Sequence, residues 1–153
     1  MTSAVFDKLP VSLMSGTVNI GHNDGKTFCM LLNAAPTKAT DQFYSDIGAK
    51  QIADVGSDYT AGGAAIHTEL PTCTSTVTGL KTGASLVFTT TATLPATGSI
   101  TYAVIQQGAV AKTTATNPLI CYIATGTLAV TNGTITFDWA AAGIMTTTSA
   151  AAI

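Results

Sequence analysis

Between Ser99 and Trp139 the chain carries three dense apolar segments: Ser99–Ile105 (SITYAVI), Pro118–Ile123 (PLICYI) and Thr134–Trp139 (TITFDW). A shorter one, Leu128–Val130, precedes the last. The final segment alternates. Ile135, Phe137 and Trp139 occupy one set of positions, Thr134, Thr136 and Asp138 the other. A period of two is the pattern of a strand with one buried face. Asn132-Gly133 lies between Val130 and Ile135, and both residue types tolerate the positive φ that a two-residue hairpin turn needs. The stretch therefore predicts a β-meander, with Gln106–Asn117 as its one long loop and Leu128–Trp139 as its final hairpin.

The rest of the chain reads as further short strands between Gly and Pro turns. Lys26–Leu32 (KTFCMLL) is a dense apolar run of strand length, expected to be central in a sheet. Asp58–Gly63 ends in Gly62-Gly63, which predicts a sharp turn. It leads into an extended segment, Ala64–Leu70, that Pro71 should end. Thr72–Thr78 is strand-permissive. Gly79–Gly83 reads as a turn, Ala84–Thr91 as a strand with Leu86 and Phe88 inward, and Leu94–Gly98 as a turn. Two short helices are expected in the N-terminal half. One contains Val11, Leu13 and Met14 with Pro10 at its first position, an extended arm being the alternative. The other covers Asp41–Ile47, with Asp41 helping at its N-terminus and Gly48 ending it. The expected fold is all-β, a β-sandwich or jelly-roll-like domain. Residues 1–16 form an arm or short helix, 17–146 the sandwich, and 147–153 a C-terminal tail.

Composition narrows the function classes. Charged residues make up 9% of the 153 positions, about a third of the usual fraction. Arginine does not occur, and the lysines (Lys8, Lys26, Lys38, Lys50, Lys81, Lys112) are scattered. Nucleic-acid binding calls for a clustered basic footprint, so no nucleic-acid partner is expected. No apolar run approaches the ~18 residues that span a bilayer, so no membrane partner is expected either. Residues 1–8 lack the basic and apolar pattern of a leader. Cys29, Cys73 and Cys121 show no close spacing, and two of them sit in apolar runs. Buried thiols made in a reducing cytosol are expected. A surface short of charge and rich in Thr, Ser and Gly suits a chain packed against neighbours, since surface charge is what keeps monomers apart.

No residue set announces a reaction. His67-Thr-Glu69 with Pro71-Thr-Cys73 has the flavour of a zinc-deaminase signature but fails its spacing, with Thr76 where a second cysteine belongs. His22 with Asp24 has no third partner. There is no nucleophile elbow and no phosphate loop. Asp41, Asp46, Asp54 and Asp58 lie in polar, turn-rich stretches where solvated carboxylates are ordinary. Catalytic, cofactor-binding and metal-ligating residues are accordingly none.

The order of several short motifs resembles a group of small tailed-bacteriophage virion structural proteins. The features are Lys26–Leu32, Tyr59-Thr-Ala-Gly-Gly63, Tyr102-Ala-Val-Ile105, Asn117-Pro-Leu-Ile-Cys-Tyr-Ile123, and Asn132–Trp139 followed by Ala142-Gly-Ile144. They span roughly residues 17 to 146. The chain departs from the group at Thr101, where an Arg is usual, and at Gln106-Gln107, where acids are usual. The resemblance implies assembly rather than catalysis and carries over no active-site residues. Members of the group are virion structural proteins without a defined role; the first expectation built on the resemblance is a head-shell decoration (cement) protein in many copies, bound to the major capsid protein or other virion proteins. The arms near Met1–Leu13 and Thr146–Ile153 would be tethers, a homo-oligomer such as a trimer the building unit, and the virion, assembled in the host cytoplasm, the location. A tail, neck or fibre component is the alternative. A carbohydrate-binding module using Phe43, Tyr44 and Tyr59 is a further one.

Overall fold

The computed structural model describes residues 3–18, 27–66, 68–73, 77–82, 86–108, 111–137 and 145–148, with backbone alone for 68–73, 77–82 and 145–148. In chain order the elements are β1 (Ala4–Val5), α1 (Leu9–Met14), β2 (Thr27–Leu32), α2 (Tyr44–Ile47) with a 3-10 turn at Gly48–Lys50, β3 (Ala64–Ala65), β4 (Thr68–Cys73), β5 (Val77–Thr82), β6 (Leu86–Leu94), β7 (Ile100–Gln107), β8 (Leu119–Leu128), β9 (Val130–Phe137) and β10 (Met145–Thr148). The fold is all-β and sandwich-like. One five-stranded sheet runs β1-β8-β7-β2-β3, a three-stranded sheet β10-β5-β4, and a two-stranded ribbon β6-β9, all antiparallel.

The five-stranded sheet is buried on both faces, which is why its strands read as continuous apolar runs. Cys29 and Leu31 of β2, with Ala103 and Ile105 of β7, face a core completed by Phe88 and Leu94 of β6 and by Ile135 and Phe137 of β9. The intervening Met30, Leu32, Val104 and Tyr122 face a second core. Phe6 from the arm and Ile47 from α2 close it, both fully buried. Ile120 and Cys121 are consecutive yet share the first core. The register explains this: Ile105 pairs with Cys121 and Gln106 with Leu119, so Ile120 is the extra residue of a bulge.

The ribbon and the sheet are two halves of one bent ladder. The pairing runs from Leu94↔Val130 directly to Ile100↔Leu128. Residues 95–99 on one strand thus oppose only Ala129 on the other. A corner this lopsided lets both strands leave one layer and enter the next together. The expected hairpin at Asn132-Gly133 is therefore absent. β8 and β9 lie in different sheets and do not pair. Asn132 does take positive φ, at 49°, but as the single residue opposite the bulged pair Thr91-Ala92. The isolated dipeptide carries a turn signal, and the long-range ladder overrode it.

Other local expectations are also corrected. Pro71 lies inside β4, at a register shift between Glu69 and Thr72, rather than ending a strand. β5 runs through Gly79 to Thr82, where a turn was expected, because Gly79 is paired on both sides, with Thr72 and Thr146. β7 continues to Gln107, so the long loop begins later than Gln106. The short helix starts at Tyr44, and Gly48 continues it as a 3-10 turn. Its N-terminus is capped by Asp46, whose Oδ2 accepts from the Gln42 and Phe43 amides at 2.8 and 2.9 Å. Those bonds, the Gln42 amide foremost, hold the Asp46 carboxyl below its ordinary range. Asp41 instead turns inward and binds the Thr37 amide and the Lys50 ammonium. Helix α1 matches its expectation, with Pro10 in its first turn. Trp139 and Asp138 lie outside the described residues.

Candidate functional site

Two surface features stand out, and each is built by the fold rather than by a motif. The first is the outer face of α1. Leu9 and Ser12 point into the protein, which leaves Val11 63% and Met14 89% exposed. These two residues are three apart, so they share one face. The helix is firmly seated. The Phe6 amide bonds the Ile120 carbonyl, the Lys8 amide bonds Gln42 Oε1 at 2.9 Å, and the Lys8 ammonium sits 4.1 Å from the Phe43 ring centre. Val5 on the edge strand β1 is also exposed.

The second feature is a half-open cavity of about 300 Å³ between the turn before β3, strand β2 and the ribbon. Its walls include Phe28 of β2, Phe88 of β6, Asp58 and Thr60 of the 55–63 turn, and Lys112 of the long loop. The turn that presents Asp58 and Thr60 is tied to its neighbours at several residues. Gly62 and Gly63 have φ of 84° and 79°. A β-carbon at Gly63 would lie 1.8 Å from the Cys29 carbonyl oxygen, so only glycine lets this turn close onto β2. The Gly62 amide donates to Gln51 Oε1 at 3.2 Å.

Neighbouring residues of this turn have opposite assignments. Tyr59 points inward and is 2% exposed. Its hydroxyl accepts from the Leu31 amide at 3.1 Å, beyond the point where the two-residue β3 stops pairing with β2. Burial pushes its phenol up. Asp58 points outward to the ribbon. Its Oδ2 accepts from the Thr91 amide at 2.8 Å and the Thr90 hydroxyl at 2.9 Å. These donors, the Thr91 amide first, lower its pKa. Among the described residues, Oδ1 is approached only by the neighbouring Ser57 hydroxyl, at 3.4 Å.

Across the cavity, Lys112 donates to Thr60 Oγ1 at 2.5 Å and to the Gly63 carbonyl at 2.9 Å. Its loop is clasped from below. Gln106, fully buried, donates through Nε2 to the carbonyls of Gly62 and Lys112 at 3.2 and 2.7 Å. Asn117 Nδ2 donates to the Ala111 carbonyl at 2.7 Å. Gln106 Oε1 is the one buried side-chain polar atom without a hydrogen-bond partner among the described residues.

The candidates singled out in the sequence fall apart in space. His22, Asp24 and His67 lie outside the described residues, and Glu69 and Cys73 are described only as backbone positions of β4. Among the described residues no group of three metal-binding side chains occurs. No helix among them is long and apolar enough to cross a membrane. Cys29 and Cys121 both pair with Ile105, one strand to either side. They are free and buried, and burial raises both thiols, Cys121 to about 12. Of the aromatics expected to bind sugar, Tyr59 is committed to the core and Tyr44 packs against the second core. Asp58 and Lys112 have no signal in the sequence that would join them, because they lie 54 residues apart. A comparison of the chain with protein-family models, with curated proteins and with solved structures finds no match in any of the three.

Proposed function

We propose that this chain is a non-enzymatic structural component of a tailed-bacteriophage particle, a decoration (cement) protein that binds the head shell in many copies. The observation that carries the reading is the outward apolar face of α1. Val11 and Met14 are presented to solvent by a helix whose arm is sewn into the core through Phe6. An anchored helix with an exposed apolar pair is suited to docking against another protein. Burying two such side chains contributes about 3–5 kcal/mol at most, too little for a stable complex once association costs are met. A repeated lattice of sites, or an oligomer such as a trimer that engages several sites at once, multiplies this modest contact into firm attachment. The charge-poor composition and the resemblance of its ordered motifs to those of small virion proteins support the same reading.

The test is a cryo-EM reconstruction of the particle with this chain traced in it. Copies at symmetry positions on the head, with α1 against the shell, are the expected result. A ring or spike at the tail would move the protein to a tail, neck or fibre role. A particle without the chain would refute the proposal. Met14→Lys is expected to lower occupancy on the shell without unfolding the protein, since the residue is 89% exposed.

A further inference from the structure

The cavity at the 55–63 turn has polar groups arranged for a ligand, and its chemistry is independent of the docking face on α1. We propose that it is a binding site for one neutral sugar unit, recognised through a pair of adjacent hydroxyls.

Three observations carry this. First, the size fits: about 300 Å³ in a half-open cavity admits a single hexose-sized ring. Second, two charged groups that line the cavity keep hydrogen-bonding capacity of opposite kinds. Asp58 spends Oδ2 on Thr90 and Thr91, whereas Oδ1 has, among the described residues, only the long 3.4 Å contact from Ser57 and keeps room for a further donor. Lys112 spends two of its three N–H donors on Thr60 and Gly63 and keeps one. A vicinal diol needs just this pair, since one hydroxyl donates to the carboxylate and its neighbour accepts from the ammonium. A carboxylate or phosphate ligand would want several converging donors and would face the Asp58 charge. Third, the partly exposed Phe28 lines the same cavity, and an aromatic ring offers an apolar face for the C–H side of a sugar.

The groups are also pre-organised. Asp58 is held by β6, and Lys112 by the turn and by the buried Gln106 clasp beneath its loop. Ordering costs on binding are correspondingly small. The site shares Tyr59 with the sugar site that the sequence alone suggests, but neither Phe43 nor Tyr44 is in its lining.

The experiment is an amide-resolved NMR titration of the full chain with the methyl glycosides of glucose, galactose and N-acetylglucosamine, and with phenylalanine as a zwitterionic control. Saturable shifts confined to residues 57–65 and 111–113, with a Kd on the order of 1 mM for at least one glycoside, are expected. Asp58→Asn keeps an oxygen for the Thr90 and Thr91 donors and is expected to weaken binding about tenfold or more, as loss of a charge-assisted hydrogen bond does. Mapping on the unsubstituted chain decides the question even where that variant fails to fold. No saturable shifts with any glycoside, shifts elsewhere on the surface, or binding of phenylalanine alone would each overturn the assignment.

Discussion

The bent ladder places the same two strands in two environments. In its β7–β8 half, both faces are covered and the side chains alternate between two cores, with Ala103 and Ile105 toward one and Val104 toward the other. In its β6–β9 half, only one face is covered. Phe88 is buried and Ile135 and Phe137 are partly so, while Thr89, Thr134 and Thr136 are exposed. The outer face carries cross-strand threonine pairs, Thr89↔Thr134 and Thr93↔Thr131, the latter with hydroxyls 3.0 Å apart. The difference shows what sets hydrophobic pattern in a strand. It is the number of covered faces, and a single ladder displays both patterns once a corner carries it from the middle of a sheet to an outer layer.

The comparison predicts a graded response to substitution. The largest effect is expected at the hinge where the turn meets the central sheet. Gly63→Ala sets a β-carbon against the Cys29 carbonyl at positive φ and should cost about 4 kcal/mol or more in chemical denaturation. Unchanged stability would mean that β3 can leave β2 freely. Next, Leu31→Ala in the doubly covered sheet should cost about 2–5 kcal/mol. Ile135→Ala, only partly buried in the ribbon, should cost about half as much. Equal losses would break the distinction between the two halves.

A smaller effect separates them by pH. The folded pKa of Asp58 is depressed, so its tie to Thr90 and Thr91 stabilises the ribbon above the ordinary value of 3.8 and is lost as pH falls through the lower, folded value. Hydrogen-exchange protection of the Thr91 amide should therefore drop in acid before that of the β7–β8 amides, and simultaneous loss would contradict it. The smallest effect belongs to the outer ribbon face. Val87→Thr, at a position 49% exposed, should change the unfolding free energy by no more than about 0.5 kcal/mol.

Several elements could be read without coordinates because their causes are local. Pro10 at the start of α1 and Gly62-Gly63 at the sharp turn act through backbone freedom. The period of two in Ile135 and Phe137 acts through one covered face, and the run at Thr27–Leu32 through two. Asn132-Gly133 misled because its preference for positive φ is real while the hairpin it suggested needed β8 and β9 to be neighbours. Gly79 and Pro71 misled for the same reason: strand pairing across the three-stranded sheet absorbed residues that favour turns in isolation.

By itself the sequence determined an all-β class, the glycine turn and the burial of Cys29 and Cys121, and it narrowed the segment at Pro10 to a short helix or an arm. These follow from composition and from short-range sterics and periodicity, which any chain carries within a few residues. Tertiary structure alone decided that Tyr59 faces inward while Asp58 faces out, that Asp46 and not Asp41 caps α2, and that Phe28, Phe88, Asp58 and Lys112 line one cavity. Each of these depends on which strands become neighbours and how the ladder bends. Pairing joins residues tens of positions apart, and no local preference encodes that choice.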